Sequence, residues 1–450
     1  MGMKRREFLL KSGMGALIGE MSGFAPGTEK MGFPGILSAS EERKKLIVGL
    51  VGCGNRGFAN AMGFSKSCRI GALCDLDSSR IKRYHDHRKI CPDSDKVAVE
   101  KDYRKLLDRK EIDIISISTV DHWHVKIAAE ALLAGKHVFC EKPLTWTIEE
   151  NRYIRDLAQK TDRVFLVGTQ QRTMKDQFLC ATLMVRAGLL GKIQKVSVFL
   201  LPGPKRGPFP KAEIPSTLDW ERWQGPVERK DYRKERCHAT FRYWYEYAGG
   251  QFTDWGAHHI DCAQWALGED QPGKGPVEVD GREVEHASEL DSRGFPLHDD
   301  LFNTAVQFHI RCRFASGIPM DIISSRDNGI LFEGTKGRIF VNRGKLTGKP
   351  VEEGRHLVFT EEDYIRLNHG KPIQPPKANF LRCIQEGGLP SSDVISHSVI
   401  MNTCHLCGIA ARLKRVVCWD PLNERILDDD QAAFFTERKR RKGYELPGIS

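Results

Sequence analysis

The chain has no run of about eighteen consecutive apolar residues, so its sequence does not predict a membrane-spanning helix. It also lacks a disulfide framework: its thirteen cysteines are scattered and odd in number, unlike the even spacing of a cystine scaffold. Cys404-His-Leu-Cys407 has no second C-x-x-C to complete a zinc site. It reads as two small residues on a helix face, and no metal centre is expected. No aromatic-interleaved platform accompanies the basic run Arg438-Lys-Arg-Arg-Lys442, which reads as a solvated tail rather than a nucleic-acid surface. No internal repeat stands out. What remains is ordinary globular composition, 40% apolar and 28% charged with a net charge of +10. At 450 residues the chain is long enough for two domains of roughly 150 residues or more each.

The most informative stretch present is Ile47-Val-Gly-Leu-Val-Gly52-Cys-Gly54-Asn55-Arg56-Gly57. An apolar strand runs straight into G-x-G-x-x-G, and a helix-compatible segment, Phe58 to Lys66, follows. In a dinucleotide site the first glycine makes the tight turn and the second lets the backbone approach a pyrophosphate. The third lets helix pack on strand, and the diphosphate sits on free N–H groups at the helix N-terminus. A second strand, Arg69-Ile-Gly-Ala-Leu-Cys74, ends in Asp75, 18 residues past Gly57. That is close to the ~20 residues at which an acid binds the adenosine ribose. A carboxylate there repels a 2′-phosphate, so Asp75 favours NAD over NADP, with Arg80 and Arg83 nearby as the contrary signal.

Strand and helix signals alternate from Leu46 to about Gln170. Ile112–Ser118, His137–Cys140 and Val164–Val167 read as buried strands. Trp123–Ala134 reads as a helix stopped by Gly135, and Thr147 with Glu150 reads as a capping box. This order predicts a doubly wound parallel sheet over residues 44–170. The remainder, 171–450, predicts an α/β domain with a large, mostly antiparallel open sheet, because strands at 277–284, 303–314, 317–324, 329–333 and 338–341 follow one another without helices. Within that second region lies a Pro/Trp/Arg-rich segment, 202–247, of the length at which loops are functional or lid-like.

Three further segments carry chemistry. Ser118-Thr119-Val-Asp121-His122-Trp-His124 and Cys140-Glu141-Lys142-Pro143 lie at the carboxyl ends of sheet strands, where ligands bind in open α/β sheets. A lysine there can set its ammonium beside a nicotinamide and the reacting carbon, although a strand-end lysine is equally a surface cation. In Gly249-Gly-Gln-Phe-Thr-Asp254-Trp-Gly-Ala-His258-His259-Ile-Asp261, Asp254 and His258 are i and i+4 on a helix and share a face. A carboxylate beside an imidazole fixes its tautomer and suits a general base, though one such pair also occurs for structural reasons. The candidate cofactor contacts are therefore Gly52, Gly54, Asn55, Arg56, Gly57, Asp75, Thr119, His122, His124, Glu141 and Lys142. Gln171, Arg172, Arg242, Trp244, Asp254 and His258 are the candidate contacts to a substrate.

In this order, G-C-G-N-R-G, E-K-P and D-x-x-x-H resemble the Gfo/Idh/MocA oxidoreductase family. Asp121-His-Trp-His124, Gly168-Thr-Gln-Gln-Arg172 and the Asp254–Asp261 run resemble its exported branch. The resemblance covers about residues 45–415. It implies a Rossmann domain, a second domain whose open sheet mediates homo-oligomers, a nicotinamide cofactor, a sugar or polyol substrate, and a catalytic group of Lys142, Asp254 and His258. The His-Gly-Gly motif of the family's glycosidase branch is absent from the sequence. A catalytically silent sugar-binding protein that kept the fold is the competing expectation, and the three catalytic-type residues argue against it.

Residues 1–43 read as a leader. Lys4-Arg-Arg-Glu-Phe-Leu-Leu-Lys11 resembles a twin-arginine export signal, followed by a weakly apolar stretch and a small-residue site at Ser38-Ala-Ser40. This predicts use of the twin-arginine machinery and a periplasmic location. Free NAD is scarce there, so the nucleotide is expected to be tightly bound and the catalytic cycle redox-neutral.

Overall fold

Six short strands form the first sheet: β1 (Ile47–Val51), β2 (Arg69–Cys74), β3 (Ala98–Glu100), β4 (Ile114–Ile117), β5 (His137–Glu141) and β6 (Phe165–Gly168). They lie in the order β3-β2-β1-β4-β5-β6, every neighbouring pair parallel. The structure, a computed structural model, describes residues 45–448; the twin-arginine segment lies outside the described residues. All five residues of β1 and all four of β4 are buried, as expected of strands covered by helices on both faces. The strand order reverses between β1 and β4, so the crevice at their carboxyl ends is the topological switch point where such sheets bind ligands.

The second sheet has nine strands in the order β13-β12-β11-β7-β10-β9-β8-β14-β15. Its strands are β7 (Ile193–Leu200), β8 (Pro276–His286), β9 (Ala305–Phe314), β10 (Pro319–Ser324), β11 (Gly329–Gly334), β12 (Gly337–Val341), β13 (Leu346–Thr347), β14 (Val416–Asp420) and β15 (Arg425–Leu427). Only β7 and β10 pair in parallel; the other pairs are antiparallel. Alternation is clearest in β9. Phe308, Ile310, Cys312 and Phe314 are buried, while Gln307 and Arg313 face outward, so one face of the sheet is covered and the other open. Helices Gly256–Leu267 and Val394–Leu413 supply apolar residues to the same core. Val394–Leu413 is apolar enough over 20 residues to cross a membrane, but 89% of its apolar window is buried inside the protein. Cys404 and Cys407 lie on it within the core.

Local details depart from the sequence pattern. Thr147 does cap helix Ile148–Gln159 through the Glu150 N–H. Glu150, however, completes no capping box: its carboxylate accepts from the Trp146 N–H at 2.6 Å and pairs with Arg440. The basic run 438–442 is not a solvated tail either. Arg438 stacks on Trp146 at 4.6 Å, and Arg441 pairs with Glu221 at 2.6 Å. The segment 202–247 has its own aromatic core, including Trp220, Trp223, Trp244 and Tyr247. It is tied to the loop after β2 by the Asp219 N–H on the Leu76 carbonyl and the Ser78 N–H on the Thr217 carbonyl.

Candidate active site

Each fingerprint glycine has a visible reason. Gly52 has φ +92, and a Cβ there would lie 2.5 Å from the Ser118 backbone. A Cβ on Gly57 would lie 2.1 Å from the Gly52 carbonyl oxygen, so helix Asn55–Phe64 could not pack this closely on β1. Around Gly54 the space is open except for the Arg80 guanidinium, 3.1 Å away. No side chain caps that helix and no acid occupies its first turn, which leaves its N–H groups facing the crevice. A cavity of about 670 Å³ extends from here, lined by Gly52, Gly54, Asn55, Arg56, Asp75, Arg80, Thr119 and Trp123 among others. The Thr119 hydroxyl is buried and has no partner among the described residues. Asp75 accepts from the Cys53 N–H at 2.6 Å and the Asp77 N–H at 2.8 Å, which fixes its carboxylate on the cavity wall. Burial raises its pKa, and those two N–H groups and Arg80 pull it back. Open glycine, free helix terminus, orphaned hydroxyl and rim acid all fit a dinucleotide.

Other expected cofactor contacts have different work. Glu141 is buried, accepts from Asn60 at 2.8 Å and pairs with Arg56 at 2.8 Å; Asn60 also reaches the Ser118 hydroxyl. Glu141 therefore braces the fingerprint helix against β5. The readings of His122 and His124 as cofactor contacts are corrected. His122 donates from Nε2 to the Trp223 carbonyl at 3.0 Å and packs among Trp146, Trp223 and Tyr247; burial pushes its pKa down to about 3. His124 donates from Nδ1 to the Pro143 carbonyl at 2.7 Å, with Nε2 3.2 Å from the Thr119 carbonyl. It brackets the two strand-end loops instead of facing a ligand.

Lys142, at the end of β5, reaches across to the second domain. Its Nζ lies 2.5 Å from Oδ1 of Asp254 and 3.0 Å from that residue's carbonyl. Arg242 Nε lies 3.3 Å from Oδ2 of the same carboxylate and also lines the cavity. Burial opposes ionisation of Asp254, but Lys142 and Arg242 outweigh it and hold its pKa below the usual range. The expected pairing of Asp254 with His258 is therefore corrected. The helix breaks at Trp255 into Gln251–Asp254 and Gly256–Leu267, which turns the carboxylate towards the cations. His258 is buried, and its Nδ1 has no partner among the described residues. Burial, then Lys142 and Arg343, depress its pKa well below that of an ordinary histidine, so it stands as a neutral imidazole. Gly250, φ +64, packs against Thr304, where a Cβ would meet a side-chain carbon at 2.7 Å, so glycine there allows close packing.

Asp121 belongs to this group, although its residue type alone did not single it out. Burial pushes its carboxyl up to about 7, with Arg242 and Lys142 opposing and Asp254 adding. Because the folded pKa lies above the unfolded one, the folded state holds the extra proton between about pH 4 and 7. Its stability therefore falls as pH rises through that window. Asp121→Asn is expected to remove that slope. The wild type should lose on the order of 4 kcal/mol relative to the variant between pH 4 and 7, measured by denaturant titration across pH, and the difference should level off above pH 7.

Three expected sugar contacts are corrected. Gln171 is wholly buried beside His259 and Cys262. Arg172 is wholly buried, holding Asp261 through two bonds of 2.9 Å, with Asp270 3.7 Å away. Trp244 is wholly buried under the Arg236 guanidinium and donates to the Glu235 carbonyl. Only Arg242 of the four substrate candidates outside the catalytic group faces the cavity. Arg172→Met should thus cost about 3–5 kcal/mol of stability by stranding buried carboxylates, seen in denaturant unfolding, with KM for the substrate unchanged.

The fold and crevice are those of a Rossmann-type dinucleotide-binding sheet joined to a second, mostly antiparallel sheet. More particularly, the chain belongs to the Gfo/Idh/MocA oxidoreductase family: residues 44–169 match its NAD-binding Rossmann fold and residues 193–296 its C-terminal α/β domain. It is similar to the α-N-acetylgalactosaminidase of Shewanella oneidensis, 33% identical over 152 residues, 32% of this chain and 33% of that protein. A glycosyl hydrolase family 109 protein of Shewanella sp. strain MR-4 is 36% identical over 156 residues, again 32% and 33% of the two chains. The chain thus spans about a third of the length of these curated relatives. Among solved structures, the aldose-aldose oxidoreductase of Caulobacter crescentus complexed with glycerol aligns at TM-score 0.56 and 18% identity, over 83% of this chain and all of that one. Levoglucosan dehydrogenase with NADH and levoglucosan aligns at 0.57 and 19% identity, over 83% and 99%. At these identities the likeness is one of fold.

Proposed function

We propose that the chain is an NAD-dependent oxidoreductase acting on a CH–OH group of a sugar or sugar derivative. The observation that carries this reading is the meeting of Lys142 and Arg242 on Asp254, with a neutral His258 near enough to feel the Lys142 charge and Arg242 also lining the nucleotide cavity. The sugar-directed names of the relatives, an aldose-aldose oxidoreductase and a levoglucosan dehydrogenase among them, support the substrate class. A nicotinamide held there supplies a hydride acceptor. His258 takes the hydroxyl proton, which a neutral, unpartnered imidazole nitrogen is free to do. Lys142 stabilises the negative charge developing on the same oxygen. Asp254 holds Lys142 in place and leaves the imidazole free. Asp75 on the cavity wall favours NAD over NADP.

The finer reading joins this to the twin-arginine sequence at Arg5-Arg6. The protein is exported, keeps its nucleotide through turnover and runs a redox-neutral cycle, oxidising one hydroxyl and returning the hydride later. Homo-oligomers through the open face of the nine-stranded sheet complete the proposal. The test is a panel of hexoses, N-acetylhexosamines, uronates and polyols mixed with the NAD-loaded protein and followed at 340 nm. At least one should reduce bound nucleotide. Binding of a sugar with no change at 340 nm, equal in wild type and His258→Ala, would support the silent binding protein instead.

A further inference from the structure

We propose that the C-terminal segment 438–447, together with the segment 217–242, is part of the nucleotide site and acts as a clasp on the adenosine end of the cavity. The inference rests on the reading of that cavity as a dinucleotide site. The apolar lining of the cavity includes Leu76, Tyr103, Trp123, Ile127, Phe241 and Tyr444, and Tyr103 stands edge to face with Trp123, ring centres 5.9 Å apart, which suits an adenine ring. Tyr444 stands against Trp123, ring centres 5.6 Å apart, and Gly443 lines the same wall.

Two sets of bonds hold the wall closed. On one side, segment 217–242 is hooked to the loop after β2. The Asp219 N–H donates to the Leu76 carbonyl at 2.9 Å, and His238 Nε2 lies 3.3 Å from Asp77 Oδ2. On the other side, the tail fastens that segment to the sheet helices. The Arg441 N–H donates to the Pro226 carbonyl at 3.1 Å. Its guanidinium donates to the Gly225 carbonyl at 2.6 Å and to Glu221 at 2.6 Å. Beyond Tyr444, Lys126 donates to the Glu445 carbonyl at 2.7 Å and Tyr153 to the Pro447 carbonyl at 2.6 Å. Ordinary Rossmann contacts come from the glycine turn and the strand ends. Here a segment nearly 400 residues further along the chain adds a wall of its own. Lifting the tail would remove this wall from the cavity, which gives the fold a physical means of slowing the loss of its cofactor.

The test is the rate at which protein loaded with radiolabelled NAD loses label to excess unlabelled NAD. The double variant Tyr444→Ala, Arg441→Ala should lose it at least tenfold faster than wild type, with its melting temperature close to the wild-type value. Equal rates would overturn the clasp. Trypsin offers a reading that needs no variant, because the tail carries Arg438, Lys439, Arg440, Arg441 and Lys442. NAD should slow their cleavage at least tenfold relative to charcoal-stripped protein, and identical cleavage would refute the proposal even if the double variant failed to fold. A wild-type protein that binds no NAD at all would instead overturn the dinucleotide reading beneath it.

Discussion

Lys142→Met is expected to lower sugar turnover about a thousandfold while leaving bound nucleotide unchanged. Lys142 lies at the carboxyl end of β5, its Nζ 2.5 Å from Asp254 Oδ1, and Met keeps the length of the side chain while removing its charge. Two effects then combine. The developing alkoxide loses the cation beside it, an interaction made in the transition state and scarcely in the ground state, worth about 3–4 kcal/mol in an enclosed site. Asp254 also keeps only Arg242 as a partner, which leaves a carboxylate facing the forming negative charge. Because both effects act on the transition state, kcat should fall while KM for the sugar changes little. Lys142→Arg separates charge from position. It restores the cation but not its point-like fit against both the Asp254 carboxylate and carbonyl, and should recover only part of the loss. Steady-state kinetics, with nucleotide content measured at 260 nm after denaturation, reads both.

The second large effect divides two glycines that look alike in sequence. Gly57→Ala should destabilise the protein by more than 1–3 kcal/mol, the usual cost of overpacking, because its Cβ would lie 2.1 Å from a backbone oxygen that cannot step aside. The gain in helix propensity, about 0.5–1 kcal/mol, does not offset it. Gly54→Val should behave differently. Its backbone is extended at φ −75 and ψ −172, and among the described residues a Cβ there would meet only the end of the Arg80 side chain, at 3.1 Å. Stability should therefore be near normal, while the added side chain occupies the space left for the pyrophosphate and NAD affinity falls at least tenfold. Thermal melting and NAD titration of the two variants should show opposite patterns.

Where the sequence pattern is dense, it is reliable. The parallel sheet and the glycine turn lie on apolar strands or directly at their ends, where periodicity and position say what the backbone does. What it cannot show is whether a polar side chain already has a partner. Arg172 and Asp261 are 89 residues apart in sequence, and only the fold brings them into a buried pair; His122, His124, Gln171 and Trp244 fail for the same reason. The helical i, i+4 relation of Asp254 and His258 held no information about the break at Trp255, nor about Lys142 and Arg242 waiting across the cleft. The three-residue strands β3 and β15 and the two-residue β13 are too short to carry a period. The basic run 438–442 looked like a solvated charge cluster because its partners, Trp146, Glu150 and Glu221, lie more than 200 residues upstream.

In the proposed chemistry, Lys142 and His258 promote hydride removal from a sugar carbon onto a nucleotide held in the glycine crevice. The most direct measurement is a rapid-quench turnover with a uniformly deuterated form of the sugar that the 340 nm panel identifies, followed by mass analysis of the released nucleotide. Nucleotide carrying one deuteron is expected in the wild type, with far less in Lys142→Met over the same time. Sugar consumed by the wild type with the nucleotide wholly unlabelled throughout would contradict it.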